Sequence, residues 1–162
     1  ILRVVFGPRD PSYISPILSA IQSDLCESGI DGVLSTHIQR DALEKFSYVS
    51  PIGASGVYLH AVAGDFKKEG PARELFKSMI REISALAAAM GYPFEKDYVK
   101  INLEILSNLS ADATTSMQRD IMEGKPSELD GLVMEPLRLA KKYSVSMPCY
   151  EEVANVLCPL EF

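Results

Sequence analysis

Apolar and polar positions divide this chain into a short mixed opening and a long helical remainder. Ile1-Leu-Arg-Val-Val-Phe-Gly7 is a β-branched run closed by Gly-Pro, the pattern of a short buried strand with a turn after it. Ile14, Ile17, Leu18, Ile21 and Leu25 then recur at helical spacing, which predicts a helix over 12–28 with Gly29 as its stop. Ile30 to Ser35 reads as a second strand. A βαβ piece of this size cannot bury both faces of a sheet, so residues 1–36 are expected to be the tail end of a larger α/β domain, and the chain a fragment.

From Thr36 onward the pattern is almost wholly helical. A polar His-Ile-Gln-Arg-Asp start leads into a long helix that Pro51 should kink or end. The next helix opens near Pro71 and closes at Gly91, with Phe76, Met79, Ile80, Ile83, Leu86, Ala87 and Met90 on one stripe. Further helices are expected over 95–109, 111–123, 127–144 and 148–157, separated by Gly, Pro and Ser/Asn signals. Loops this short imply helix hairpins, so 37–162 should form a compact, mainly α bundle.

Composition narrows what such a bundle does. With 162 residues, 47% of them hydrophobic and 23% charged, the chain is an ordinary globular one that can bury a working core. A formal charge of -6 argues against nucleic acid as a partner, since phosphate backbones call for clustered Lys and Arg. No apolar run reaches the roughly 18 residues of a membrane span, and the start lacks signal-peptide features. Cys26, Cys149 and Cys158 form neither a Cys-x-x-Cys pair nor an even framework, which fits reduced thiols in a cytoplasmic protein. Asn108-Leu-Ser110 matches a glycosylation acceptor by chance alone on this reading.

The candidate chemistry gathers around residues 114–130, where polar groups flank a Gly-Lys-Pro break between two helical patterns. Ser116 near a helix start can be a cap or a contact for a carboxylate. Glu128 follows Ser127, a possible cap for the next helix with Asp130 completing an imperfect capping box. Upstream, Ile38, Ala42, Val49 and Ile52 fall within about 60° of Lys45 on a helical wheel. A lysine amid such a stripe either snorkels to water or lines a cleft, where partial desolvation makes it a better proton donor. His37 and His60 have no ligand spacing around them, and no Ser/His/Asp or Cys/His set can be assembled, so metal and covalent catalysis are poorly supported. Arg138, Lys141 and Lys142 read as a solvated helix end. Without a Gly-x-Gly-x-x-Gly loop, any nucleotide must be held mainly elsewhere.

Three segments in order resemble the ketopantoate reductase (2-dehydropantoate 2-reductase) family. Ser116-Met-Gln-Arg-Asp120 followed by Gly124-Lys-Pro-Ser-Glu128-Leu-Asp130 is similar to its Ser-Met-x-x-Asp…Gly-Arg-x-Thr-Glu-Ile-Asp signature. Val145-Ser-Met-Pro148 resembles its Gly-Val-x-x-Pro segment, and His37-Ile-Gln-Arg-Asp-Ala-Leu-Glu-Lys45-Phe the stretch that bears its lysine. The resemblance implies a helical C-terminal domain of the 6-phosphogluconate dehydrogenase type, preceded by a remnant of an N-terminal Rossmann domain. It further implies NADPH-dependent reduction of 2-dehydropantoate to pantoate, in pantothenate and coenzyme A synthesis, at a cleft between the domains. Lys45 would protonate the ketone oxygen, Ser116 would contact the substrate carboxylate, and Glu128 would reach the cofactor ribose and hold Lys45. Asparagines common in the family four and eight positions after the lysine are replaced by Val49 and Gly53, and the tryptophan before it by Leu43. Such a pocket loses discrimination for a hydroxylated substrate, so another 2-oxo acid is an alternative. A helical dimerisation or interaction module without catalytic duty is another, and a homodimer is expected from the apolar surface that the βαβ piece leaves.

Overall fold

The computed structural model describes residues 2–10, 12–13 and 15–158, so Ile1 and Ile14 of the pattern above lie outside the described residues. The chain divides into two compact units, Ile1–Leu43 and Glu44–Phe162.

In the first unit, β1 (Arg3–Phe6) and β2 (Asp31–Leu34) pair in parallel, with Arg3 opposite Asp31 and Phe6 opposite Leu34. Between them α1 spans Pro16–Glu27, starting four residues later than the spacing predicts, because Pro16 sits in the first turn behind Ser15. Gly29 takes a left-handed φ of 78°, and the Ile30 N–H closes the helix on the Leu25 carbonyl at 3.0 Å. At Gly32 a Cβ would come within 2.9 Å of Leu25 Cβ, so glycine permits the close approach of α1 to β2.

The long helix α2 (Ile38–Tyr58) continues through Pro51 instead of ending there. Proline removes the N–H that would bond the Ser47 carbonyl. That carbonyl instead accepts a hydrogen bond from Asn102 Nδ2 at 3.0 Å, which removes the reason for the helix to break. The second unit continues with α3 (Ala63–Lys67), α4 (Pro71–Ala89), α5 (Tyr98–Ser107), α6 (Ser116–Met122), α7 (Glu135–Tyr143) and α8 (Pro148–Leu157). A π-helical turn, Asp130–Met134, leads directly into α7. The short α3 has no counterpart in the sequence reading; the Asp65 carboxylate accepts the Val62 N–H at 3.0 Å and so satisfies its first turn. Lys67 Nζ donates to the Ser107 and Leu109 carbonyls, holding the C-terminal end of α5.

The core forms on both sides of α4. Met79, Ile83 and Leu86 pack with Val133, Met147, Tyr150 and Val153. Phe76 and Ile80 pack with Ile52, Phe66, Ala61 and Leu106, and the rings of Phe66 and Phe76 meet edge-on at 5.8 Å. The expected stripe on α4 is therefore buried throughout, with Met90 partly buried at its end. Among the described residues no helix is long and apolar enough to cross a membrane.

Candidate active site

Lys45, Val49 and Gly53 follow one another at i, i+4 spacing on α2, a stripe about 12 Å long. Exposure falls along it: Lys45 is exposed, Val49 half-buried and Gly53 buried. A Cβ at Gly53 would lie 3.1 Å from Met117 Cε, 3.8 Å from Thr115 Oγ1 and 3.9 Å from Leu132 Cδ1. Gly53 thus lets α2 press against the residues on either side of Ser116 and against the first turn after Glu128.

The local caps differ from the sequence reading. Ser116 is the first residue of α6 and exposed, but the cap is Thr115. Thr115 Oγ1 accepts the Gln118 N–H at 3.2 Å while Gln118 Oε1 accepts the Thr115 N–H at 3.0 Å, a reciprocal capping box. The Ser116 hydroxyl is left for other duty. Among the described residues Ser127 makes no capping bond, and Asp130 is held by Arg138 at 2.9 and 2.7 Å rather than in a capping box. Arg138 also bonds Glu135 at 2.7 Å, so it belongs to an ion-pair cluster and is not merely part of a solvated helix end. The arginine beside Asp130 holds that carboxyl below the usual carboxylate range. Glu128 is exposed, its backbone carbonyl accepting the Leu132 N–H at 2.9 Å.

Beneath the stripe lies a polar pin that no local pattern of residues reveals. Pro136 has no N–H to offer the Leu132 carbonyl. Ser50 Oγ donates to that carbonyl at 2.6 Å and lies 2.5 Å from Tyr150 Oη. Serine has one hydroxyl proton, and it is spent on Leu132, so Tyr150 is the donor in its contact with Ser50. Full burial pushes the Tyr150 phenol far up, which keeps it protonated for that task. Ser50 therefore ties α2 to the π-helical turn that follows Glu128. The structure brings the Gly53 stretch, the Ser116 segment and the Glu128 turn together; among the described residues it forms no ion pair between Lys45 and Glu128. No group of three or more His, Cys, Asp or Glu side chains among the described residues could hold a metal ion.

A helical bundle with a parallel βαβ piece before it in the chain, and a lysine-bearing helix packed against the Ser116-Met117 start of α6, is the arrangement that the family resemblance implies for a C-terminal domain. The chain belongs to the ketopantoate reductase family: the family model for Ketopantoate reductase PanE/ApbA C terminal matches residues 37–161. It is similar to an uncharacterized oxidoreductase, YkpB, of Bacillus subtilis (strain 168), 22% identical over 151 residues, 93% of this chain and 50% of that protein. In structure it is similar to 2-dehydropantoate 2-reductase from Methylococcus capsulatus, with a TM-score of 0.85 at 24% identity over 98% of this chain and 50% of that one. It is likewise similar in fold to a D-mandelate dehydrogenase solved with NADH and anilino(oxo)acetate, with a TM-score of 0.81 at 17% identity over 95% of this chain and 64% of that one. The chain thus spans about half the length of the curated relative it matches.

Proposed function

We propose that this chain supplies the substrate-side residues of an NADPH-dependent 2-dehydropantoate 2-reductase. The observation that supports this best is the junction at Gly53, where the helix carrying Lys45 packs against Thr115 and Met117 around Ser116 and against Leu132 after Glu128. In this reading the Lys45 ammonium donates its proton to the C2 oxygen and stabilises the alkoxide as it develops. The Ser116 hydroxyl donates to the substrate carboxylate. Glu128 orients Lys45, and its exposed carboxylate is an acceptor for ribose hydroxyls, so it is the residue of this chain that would meet the cofactor. The hydride that turns the 2-oxo acid into a 2-hydroxy acid would come from NADPH, which an N-terminal Rossmann domain would mainly hold.

A second reading keeps this chemistry and changes the substrate. Val49 and Gly53 offer no side-chain donor, and the Met117 methyl occupies the space that a side chain at position 53 would need. A site lined this way favours a 2-oxo acid with an apolar side chain over a hydroxylated one. Both readings are tested in a protein joining this chain to a Rossmann domain that carries a Gly-x-Gly-x-x-Gly loop. NADPH oxidation is measured with 2-dehydropantoate and with a panel of apolar 2-oxo acids. The preferred substrate gives the highest kcat/KM, and Lys45→Ala lowers turnover about 10²- to 10⁴-fold. Full activity in Lys45→Ala would remove the proposed acid.

A further inference from the structure

The backbone around Glu128 is anchored from its C-terminal side. Before it, residues 122–126 are exposed and 125–127 form no regular structure. After it, the Glu128 carbonyl accepts the Leu132 N–H at 2.9 Å, and the Leu132 carbonyl in turn accepts the Ser50 hydroxyl at 2.6 Å. Leu132 is thus bonded through its two backbone groups to Glu128 and to α2. Its side chain lies beside the same helix one turn further on, 3.9 Å from where a Cβ at Gly53 would be. Arg138 holds Asp130 at 2.9 and 2.7 Å, and Val133 and Met134 are buried in the core. The turn after Glu128 is therefore fixed, and the Ser50 bond ties it to the helix that carries Lys45.

Ser50 cannot itself reach a substrate at Lys45. It lies about 140° around α2 from that lysine and about 7.5 Å further along the axis. Both Ser50 and its partner Tyr150 are fully buried, with 2.5 Å between their oxygens. The serine hydroxyl is fully committed, its proton to Leu132 and a lone pair to Tyr150, so it fixes the Leu132 carbonyl in direction as well as in distance. Pro136 offers that carbonyl no N–H, which leaves the serine in the place of a helical donor. Two bonds in series, Ser50 to Leu132 and Leu132 to Glu128, thus set the spacing of the Glu128 backbone from α2.

We propose that Ser50 is a positioning residue for the reductase site, setting Glu128 against Lys45 through Leu132. This rests on the roles given above to Lys45 and Glu128. The first test needs no turnover, because the Leu132 N–H is itself one of the two bonds. Tyr150→Phe removes the other bond of the buried pair but leaves Ser50 on Leu132, so it serves as the control for general destabilisation. At matched global stability, Ser50→Ala should speed hydrogen exchange of the Leu132 amide at least about tenfold over Tyr150→Phe. The second test uses the protein joined to a Rossmann domain. There Ser50→Ala should lower kcat about 10- to 10²-fold while the KM for the 2-oxo acid, which Ser116 contacts, changes less than about twofold. Tyr150→Phe should keep kcat within about twofold, and so should Ser50→Ala when introduced into Glu128→Ala, since a residue acting through another adds nothing once that one is gone. Equal Leu132 exchange in the two variants, or independent losses in Ser50→Ala and Glu128→Ala, would overturn the assignment. If Ser50→Ala loosens Leu132 but Glu128→Ala keeps full activity, the reading of Glu128 is what fails, and the positioning role falls with it.

Discussion

Pro51 and Pro136 each deprive a carbonyl four residues earlier of its helical donor, and in both cases a side chain from another element takes over. Asn102, 1% exposed, serves Ser47, and Ser50, fully buried, serves Leu132. Such replacements matter because a buried carbonyl left without a partner costs about 1–3 kcal/mol. Asn102→Ala should therefore destabilise the protein by about that amount in urea unfolding, and adding Pro51→Ala should recover part of the loss by restoring the missing N–H. Strict additivity of the two changes would show that the Ser47 carbonyl is not the linked group. The same pair marks a limit of sequence reading. Pro51 announces a helix break, but Asn102, distant by 55 positions, is what prevents it, and nothing local in the sequence connects them.

Helix ends show which local signals suffice. Pro71 and Gly91 bracket α4, and Gly29 closes α1, because proline and left-handed glycine act through their own backbone geometry. Thr115-x-x-Gln118 was an equally local signal for the start of α6, although the apolar spacing alone suggests an earlier one. The π-helical turn was not legible, because Asp130 is drawn to Arg138 and the Leu132 carbonyl to Ser50, both contacts of the folded state. At the end of α7, Ser144 adopts a left-handed φ of 56° and the Val145 N–H bonds the Ala140 carbonyl at 2.9 Å, an arrangement that glycine enters without Cβ strain. Ser144→Gly should raise stability by about 0.5–1 kcal/mol, read as a higher urea midpoint at unchanged slope. A lower midpoint would mean that the serine side chain contributes more than its backbone strain costs.

Across the second unit, the motif residues and the packing residues were legible to different degrees. Lys45, Ser116 and Glu128 stand out by resemblance, and the structure sets the Ser116 and Glu128 segments against α2 through Gly53 and Ser50. Lys45 and Glu128 themselves are exposed, so any link between them depends on groups that the packing of this unit does not supply. What the unit does supply is a shared spine. The 19 residues of α4 contribute Met79, Ile83 and Leu86 to one apolar cluster and Phe76 and Ile80 to the other. Neither cluster can lose its packing without baring a face of the same helix, so the two should unfold together. Ile83→Ala and Ile80→Ala act on opposite clusters, and each should cost about 2–5 kcal/mol. In native-state hydrogen exchange with rising urea, the slowest amides of α5, beside one cluster, and of α8, beside the other, should share one opening free energy and fall by equal amounts in either variant. If Ile80→Ala lowered protection in α5 and left α8 unchanged, the clusters would be separate cooperative units and α4 only a wall between them.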